Sequence, residues 1–102
     1  MMRGNGNMAG MMKKMQKLQK EMQAAQAQLD EKPFVGKSSD DLVQVTMNGK
    51  REIQDLQIDP KVIDPDDPDM LQDLLIQAFN QALTTVDQET EQTMGKYTRG
   101  LM

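Results

Sequence analysis

The stretch Leu42-Val43-Gln44-Val45-Thr46-Met47-Asn48-Gly49, with the residues up to Ile58 behind it, decides the fold. Val43, Val45 and Met47 alternate with Gln44 and Thr46, the period-2 pattern of a half-buried strand. Asn48-Gly49 is the strongest hairpin signal in the chain, since both residues tolerate the positive φ of a type I′ turn. Residues 50–58 read as the return strand. Leu56 and Ile58 share a face, and Ile53 falls out of phase with them. Either a bulge restores its side, or Ile53 covers the second face of the sheet. Upstream, residues 33–37 read as a first, weak strand, separated from the hairpin by the turn residues Ser38, Ser39, Asp40 and Asp41.

Outward from the strands, both flanks are helical. Met8, Met11, Met15, Leu18, Met22, Ala25 and Leu29 recur at alternating steps of three and four, a heptad seam on one long helix over residues 8–31. The helix stops before Pro33, which biases Lys32 away from helical geometry. A seam this narrow asks for a partner helix. On the other side, Asp67-Pro68-Asp69 is a strong helix start: a capping carboxylate, a proline at the first helical position and an acid at the positive end of the dipole. Leu71, Leu74, Leu75, Ala78, Phe79, Ala82, Leu83 and Val86 form a wide apolar stripe suited to packing on a sheet. This second helix is expected over about 68–94, its last turns projecting beyond the core, with Gly95 as its stop. The order is α-β-β-β-α, an α+β subunit with a three-stranded antiparallel sheet and two long helices. Residues 1–7, rich in Gly and Asn, are expected to be disordered, 8–95 to form one domain, and 96–102 to be a flexible basic tail.

Composition narrows the chemistry. The 102 residues contain no Cys and no His, which removes disulfides, thiol nucleophiles, zinc fingers and imidazole bases. Only Phe34, Phe79 and Tyr97 are aromatic, so the core is modest and sharing it in a dimer would add stability. No stretch approaches the ~20 apolar residues of a membrane span, and a soluble, intracellular protein is expected. The net charge of −4 hides a polarised chain. Residues 1–20 carry Arg3, Lys13, Lys14, Lys17 and Lys20 and no acid, whereas residues 59–73 carry six aspartates against Lys61.

The lysines are the main functional candidates. Lys13, Lys17 and Lys20 lie at steps of four and three on one side of the first helix, a row able to track phosphates. The competing reading is an ordinary solvated face, but such faces usually mix Lys with Glu. Nothing suggests base-specific readout, and few rings are available for stacking. The methionines of the first 22 residues could form a soft docking surface or, with thioethers alone, hold Cu(I); a helix–helix seam accounts for them better. Asp64, Asp66, Asp67 and Asp69 lack the Gly and Glu of a calcium loop and suit capping instead. No nucleophile motif or phosphate-binding glycine loop is present.

Three motifs together carry a resemblance: the Val43-Gln44-Val45-Thr46-Met47-Asn48-Gly49 hairpin, the Ile58-Asp59-Pro60 step, and the helix Leu74-Leu75-Ile76-Gln77-Ala78-Phe79-Asn80-Gln81-Ala82. With the Met/Gln/Lys-rich first helix, the chain resembles the YbaB/EbfC family of bacterial nucleoid-associated proteins from about Met8 to Gly95. The resemblance implies a tweezer-like homodimer that binds double-stranded DNA, alters its conformation and acts on the nucleoid in the cytoplasm. From the residues themselves, no enzyme activity, cofactor, metal or small-molecule substrate is expected, and no membrane association. DNA contacts attributed to the helical arms carry over to Lys13, Lys14, Lys17 and Lys20, with Lys96 and Arg99 near the end of the second helix. If the helices run side by side, both basic ends fall at one outer tip and the acidic connector lies near the sheet. The alternative is a protein-interaction module that docks partners on the Met-rich seam.

Overall fold

The computed structural model describes the backbone of residues 2–100 and the side chains of residues 8–97. Helix α1 (Met2–Glu31) leads into strands β1 (Phe34–Lys37), β2 (Val43–Met47) and β3 (Ile53–Ile58), and helix α2 (Pro68–Gly100) closes the chain. The sheet is antiparallel in the order β1-β2-β3. Both helices exceed their expected bounds. α1 starts at Met2 rather than Met8, and α2 runs through Gly95 to Gly100. One glycine in a helix interior costs only about 1 kcal/mol, too little to end a helix this long.

The hairpin reading holds in outline and changes in detail. The Asn48 carbonyl accepts from Arg51 N, and Asn48 N donates to the Glu52 carbonyl. Arg51, not Gly49, takes the positive φ, at 65°. The connection is therefore the longer kind, a turn followed by a left-handed residue, rather than the expected two-residue type I′ turn. Asn48 is buried, and its Oδ1 accepts from the backbone N–H of both Lys50 and Glu52 while its Nδ2 donates to Glu52 Oε1.

Gly49 is needed for space. A Cβ there would stand 2.0 Å from the carbonyl oxygen of Leu29, so the hairpin loop lies directly on the last turn of α1. A bulge does bring Ile53 into phase: Thr46 pairs with Asp55 and Met47 with Ile53, leaving Gln54 as the extra residue.

One face of the sheet meets α2. Val43, Val45 and Met47 are buried beneath it with Phe34 from β1 and Leu74, Ala78, Ala82 and Val86 from the helix. The approach is tightest at Gly36, where a Cβ would lie 2.2 Å from the Ala78 carbonyl oxygen and 2.7 Å from Ala82 Cβ. Gln81 Oε1 accepts from Lys37 N, and Gln77 Oε1 accepts from Ser39 N at 3.0 Å, so this flank of α2 lies along β1. Asp67 Oδ1 caps the start of α2 by accepting from Met70 N, as its sequence suggested.

Gly36→Ala is expected to destabilise the fold by about 3 kcal/mol, because backbone on both sides must move. Gly49→Ala should cost a similar amount for the same reason. Gly10→Ala, where a Cβ meets nothing within 4 Å, should be neutral or stabilising by up to about 1 kcal/mol. Urea unfolding of the three variants checks this ordering.

Candidate nucleic-acid interface

The long dimension of the molecule positions the lysines. Helices of 30 and 33 residues are about 45 and 50 Å long at 1.5 Å per residue. The whole chain measures 80 × 21 × 16 Å, so the two helices overlap over only part of their lengths. Ion pairs mark where the overlap begins. Lys32, just after α1, pairs with Glu89, and Arg51 of the hairpin pairs with Asp87. Beyond Glu89 the last turns of α2 run back along α1, burying Tyr97 near their end. From Glu89 to Gly100, α2 gains roughly 16 Å, whereas α1 extends roughly 43 Å from Glu31.

The burial pattern agrees. Leu29 is buried, Ala25, Met22 and Leu18 are half-buried, and every residue from Met8 to Lys17 is exposed. The seam is therefore one stripe with two environments. Its C-terminal half is covered within the protomer, and its N-terminal half projects as an arm.

Lys13, Lys14 and Lys17 stand on that arm and Lys20 at its base. All four are exposed, and none makes an ion pair among the described residues. The positive end of the α1 dipole points the same way. Lys96 is exposed, with Nζ 5.0 Å from the centre of the Tyr97 ring, a cation–π contact. The side chain of Arg99 lies outside the described residues. The basic ends of the helices point in the same direction but do not reach one level: counted from the Lys32–Glu89 pair, Lys96 stands roughly 10 Å out and Lys13 roughly 28 Å out.

The acidic connector occupies the opposite end, before the start of α2. Its carboxylates serve the backbone. Asp59 Oδ1 accepts from Lys61 N, and Asp64 Oδ1 accepts from Asp66 N.

Sequence reasoning counted Tyr97 only among the aromatics and missed its burial in the last turns of α2, as it missed the two clamping ion pairs. Asp87 and Glu89 read as the start of a solvated helix end, and their pairing depends on a loop and a helix end distant in sequence.

A second feature lies over β3. Val43 pairs with Ile58, Val45 with Leu56 and Met47 with Ile53, so all six side chains share the face turned toward α2. Yet Ile53 is 56% exposed and Leu56 41%, while their partners on β2 are buried. The helix covers β1 and β2 and stops short of β3. Its flank away from β1, Leu75, Phe79 and Leu83, is only half-buried and borders this open apolar trough.

A small α+β subunit with a basic helical arm and an open apolar sheet edge is the kind of protein that assembles and meets a polyanion. The chain belongs to the YbaB/EbfC DNA-binding family, which it matches over residues 4–101. It is 55% identical over 101 residues to a nucleoid-associated protein of Enterococcus faecalis, covering 99% of this chain and 97% of that one. With a nucleoid-associated protein of Lactobacillus gasseri it shares 54% identity over 99 residues, covering 97% and 91%. Its fold is similar to the crystal structure of an uncharacterized protein from Helicobacter pylori, with a TM-score of 0.66 and 26% identity over 76% of this chain and 82% of that one. Membership in a DNA-binding family makes this a non-enzymatic protein. Among the described residues no helix is long and apolar enough to cross a membrane.

Replacing Lys13, Lys14, Lys17 and Lys20 together by Gln is expected to change folding stability by less than about 0.5 kcal/mol, since none has an ion-pair partner within the described residues. Circular dichroism and urea unfolding would show it.

Proposed function

We propose that this protein is a homodimeric nucleoid-associated protein that holds double-stranded DNA by its phosphate backbone, with Lys13, Lys14, Lys17 and Lys20 as the main contacts and Lys96 and Arg99 as secondary ones. Membership in a DNA-binding family supports the general role in the cytoplasm, at the nucleoid. The observation that carries the residue assignment is the lysine-bearing arm. It has no acid between Met8 and Lys20, no ion pair among the described residues, and stands clear of the sheet.

Lys13, Lys17 and Lys20 span roughly 10 Å along the helix. Such a row neutralises phosphates and releases counterions without reading bases. Binding of this kind senses DNA shape and deformability, and two arms held at a fixed angle would bias the duplex toward a bent or constrained path.

The dimer is supported by the trough over β3. Exposed Ile53 and Leu56 sit on the same sheet face as a fully buried core, and a second copy laid on this face would extend that core across the molecular twofold. The 80 Å length of one subunit suits a tweezer in which the sheets form the body and the α1 arms the tips.

Neutralising the four arm lysines should weaken binding to a random-sequence duplex by at least about tenfold. It should also flatten the salt dependence by about 0.9 in log–log slope for each phosphate that is no longer neutralised. Fluorescence anisotropy at several salt concentrations measures both. Unchanged affinity would sink the arm assignment, and salt-insensitive binding would favour a protein-docking role. Leu56→Asp, which places a charge on the trough, is expected to convert the dimer to monomer in light scattering. A dimer of undiminished stability would move the interface elsewhere.

A further inference from the structure

The arm of α1 keeps its helix without help from the rest of the protomer. Every residue from Met8 to Lys17 is exposed, so no tertiary packing offsets the entropy of ordering this stretch. Local terms decide, and several oppose the helix. Gly10 lies in its interior, where glycine is less favourable than alanine. The lysines repel one another: Lys13 and Lys17 stand at i and i+4, and Lys14, Lys17 and Lys20 at successive steps of three. No acid lies between Met8 and Lys20 to offset this repulsion.

The methionines supply the favourable terms. Met8, Met11, Met12 and Met15 stand at i, i+3, i+4 and i+7, the corners of a rhombus on one face of the helix. Each side of the rhombus is an i,i+3 or i,i+4 pair of apolar side chains, a contact that stabilises an isolated helix. Methionine is also among the better helix formers. The lysine row therefore stays aligned through its thioethers.

Those thioethers are open to solvent. Met8, Met11, Met12 and Met15 are 56–64% exposed, whereas Met22, Met70 and Met94 are half-buried and Met47 is only 2% exposed. Hydrogen peroxide oxidises a thioether that it can reach. The sulfur lone pair attacks one peroxide oxygen and the O–O bond breaks. That oxygen becomes the sulfoxide, and the other leaves as water with both protons. Sulfur gives up two electrons and peroxide takes them. The product is polar, and its oxygen accepts hydrogen bonds. It can compete for backbone N–H groups as Ser and Asn side chains do when they oppose a helix. The rhombus loses its apolar contacts while the repulsion among the lysines stays.

We propose that Met8, Met11, Met12 and Met15 form a peroxide-sensitive modification site that turns the arm from helix to coil. The sheet and its buried core, Met47 included, stay folded. The consequence for nucleic acid rests on the assignment of the arm lysines to phosphates. A frayed arm no longer holds Lys13, Lys17 and Lys20 in one row, so the oxidised chain loosens its hold on a duplex. Reduction by methionine sulfoxide reductases reverses the change.

The test treats the full chain with increasing hydrogen peroxide, maps the sulfoxides by mass spectrometry and records circular dichroism at each step. The four arm methionines should react before Met22 and Met47, and the helical signal should fall by roughly ten residues' worth. Affinity for a random-sequence duplex should fall about fivefold or more, and the reductases should restore both. The control replaces Met8, Met11, Met12 and Met15 together by Leu, which keeps helix propensity and apolar contacts but has no sulfur. This variant should hold its helix and its affinity through the same treatment. Met47 reacting together with the arm, four arm sulfoxides with unchanged helicity, or a Leu variant that loses as much helix would overturn the proposal. Mapping and dichroism are read without DNA, so they decide this inference by themselves. An untreated chain that fails to bind a duplex would instead overturn the assignment of the lysines.

Discussion

The close approach of α2 to the sheet at Gly36 is the constraint on which the rest of the molecule depends. With no side chain at Gly36 and only methyl groups at Ala78 and Ala82, helix backbone and strand backbone come nearly into contact. Side chains of ordinary size would hold the two layers about 10 Å apart. The small-residue contact aligns α2 along β1, and Gln77 and Gln81 fasten that alignment to the strand backbone. It also leaves the far strand uncovered, because one helix drawn tightly onto β1 and β2 cannot span three strands. The buried core and the open trough are two results of one packing decision.

The hairpin loop extends the same logic to α1. Gly49 rests on the carbonyl of Leu29, and Arg51 and Lys32 reach across to Asp87 and Glu89. Both ion pairs are exposed and contribute little energy individually. Their value is geometric: they fix where the end of α1 meets the middle of α2. From that point α1 outruns α2 by many turns, so the arm is a consequence of helix lengths and a single anchoring level.

Charge follows this geometry. A net charge of −4 taken alone points away from a polyanion, yet the acids of the connector and the lysines of the arm lie at opposite ends of an 80 Å body. At physiological ionic strength charges are screened over about 8 Å. The field at the tip is therefore set by the lysines and not by the connector, and the global charge does not describe it.

Local pattern alone determined a great deal. Alternation at Val43, Val45 and Met47, the heptad steps of α1, the Asp67-Pro68 start of α2 and the basic first 20 residues are short-range signals, and each element formed as its pattern implied. Short-range signals also misplaced some details. Asn48-Gly49 implied a two-residue turn, but the loop had to accommodate the end of α1, so Gly49 supplies clearance and Arg51 the left-handed geometry. Gly95 suggested a stop, but a helix flanked by a buried Val86 and Tyr97 runs through it. Only the tertiary structure decided which half of the seam is covered, that Ile53 and Leu56 remain open, and that Lys13 stands well beyond Lys96. Periodicity specifies which face of an element is apolar. What covers that face depends on the lengths and crossing of elements distant in sequence, which are settled by packing.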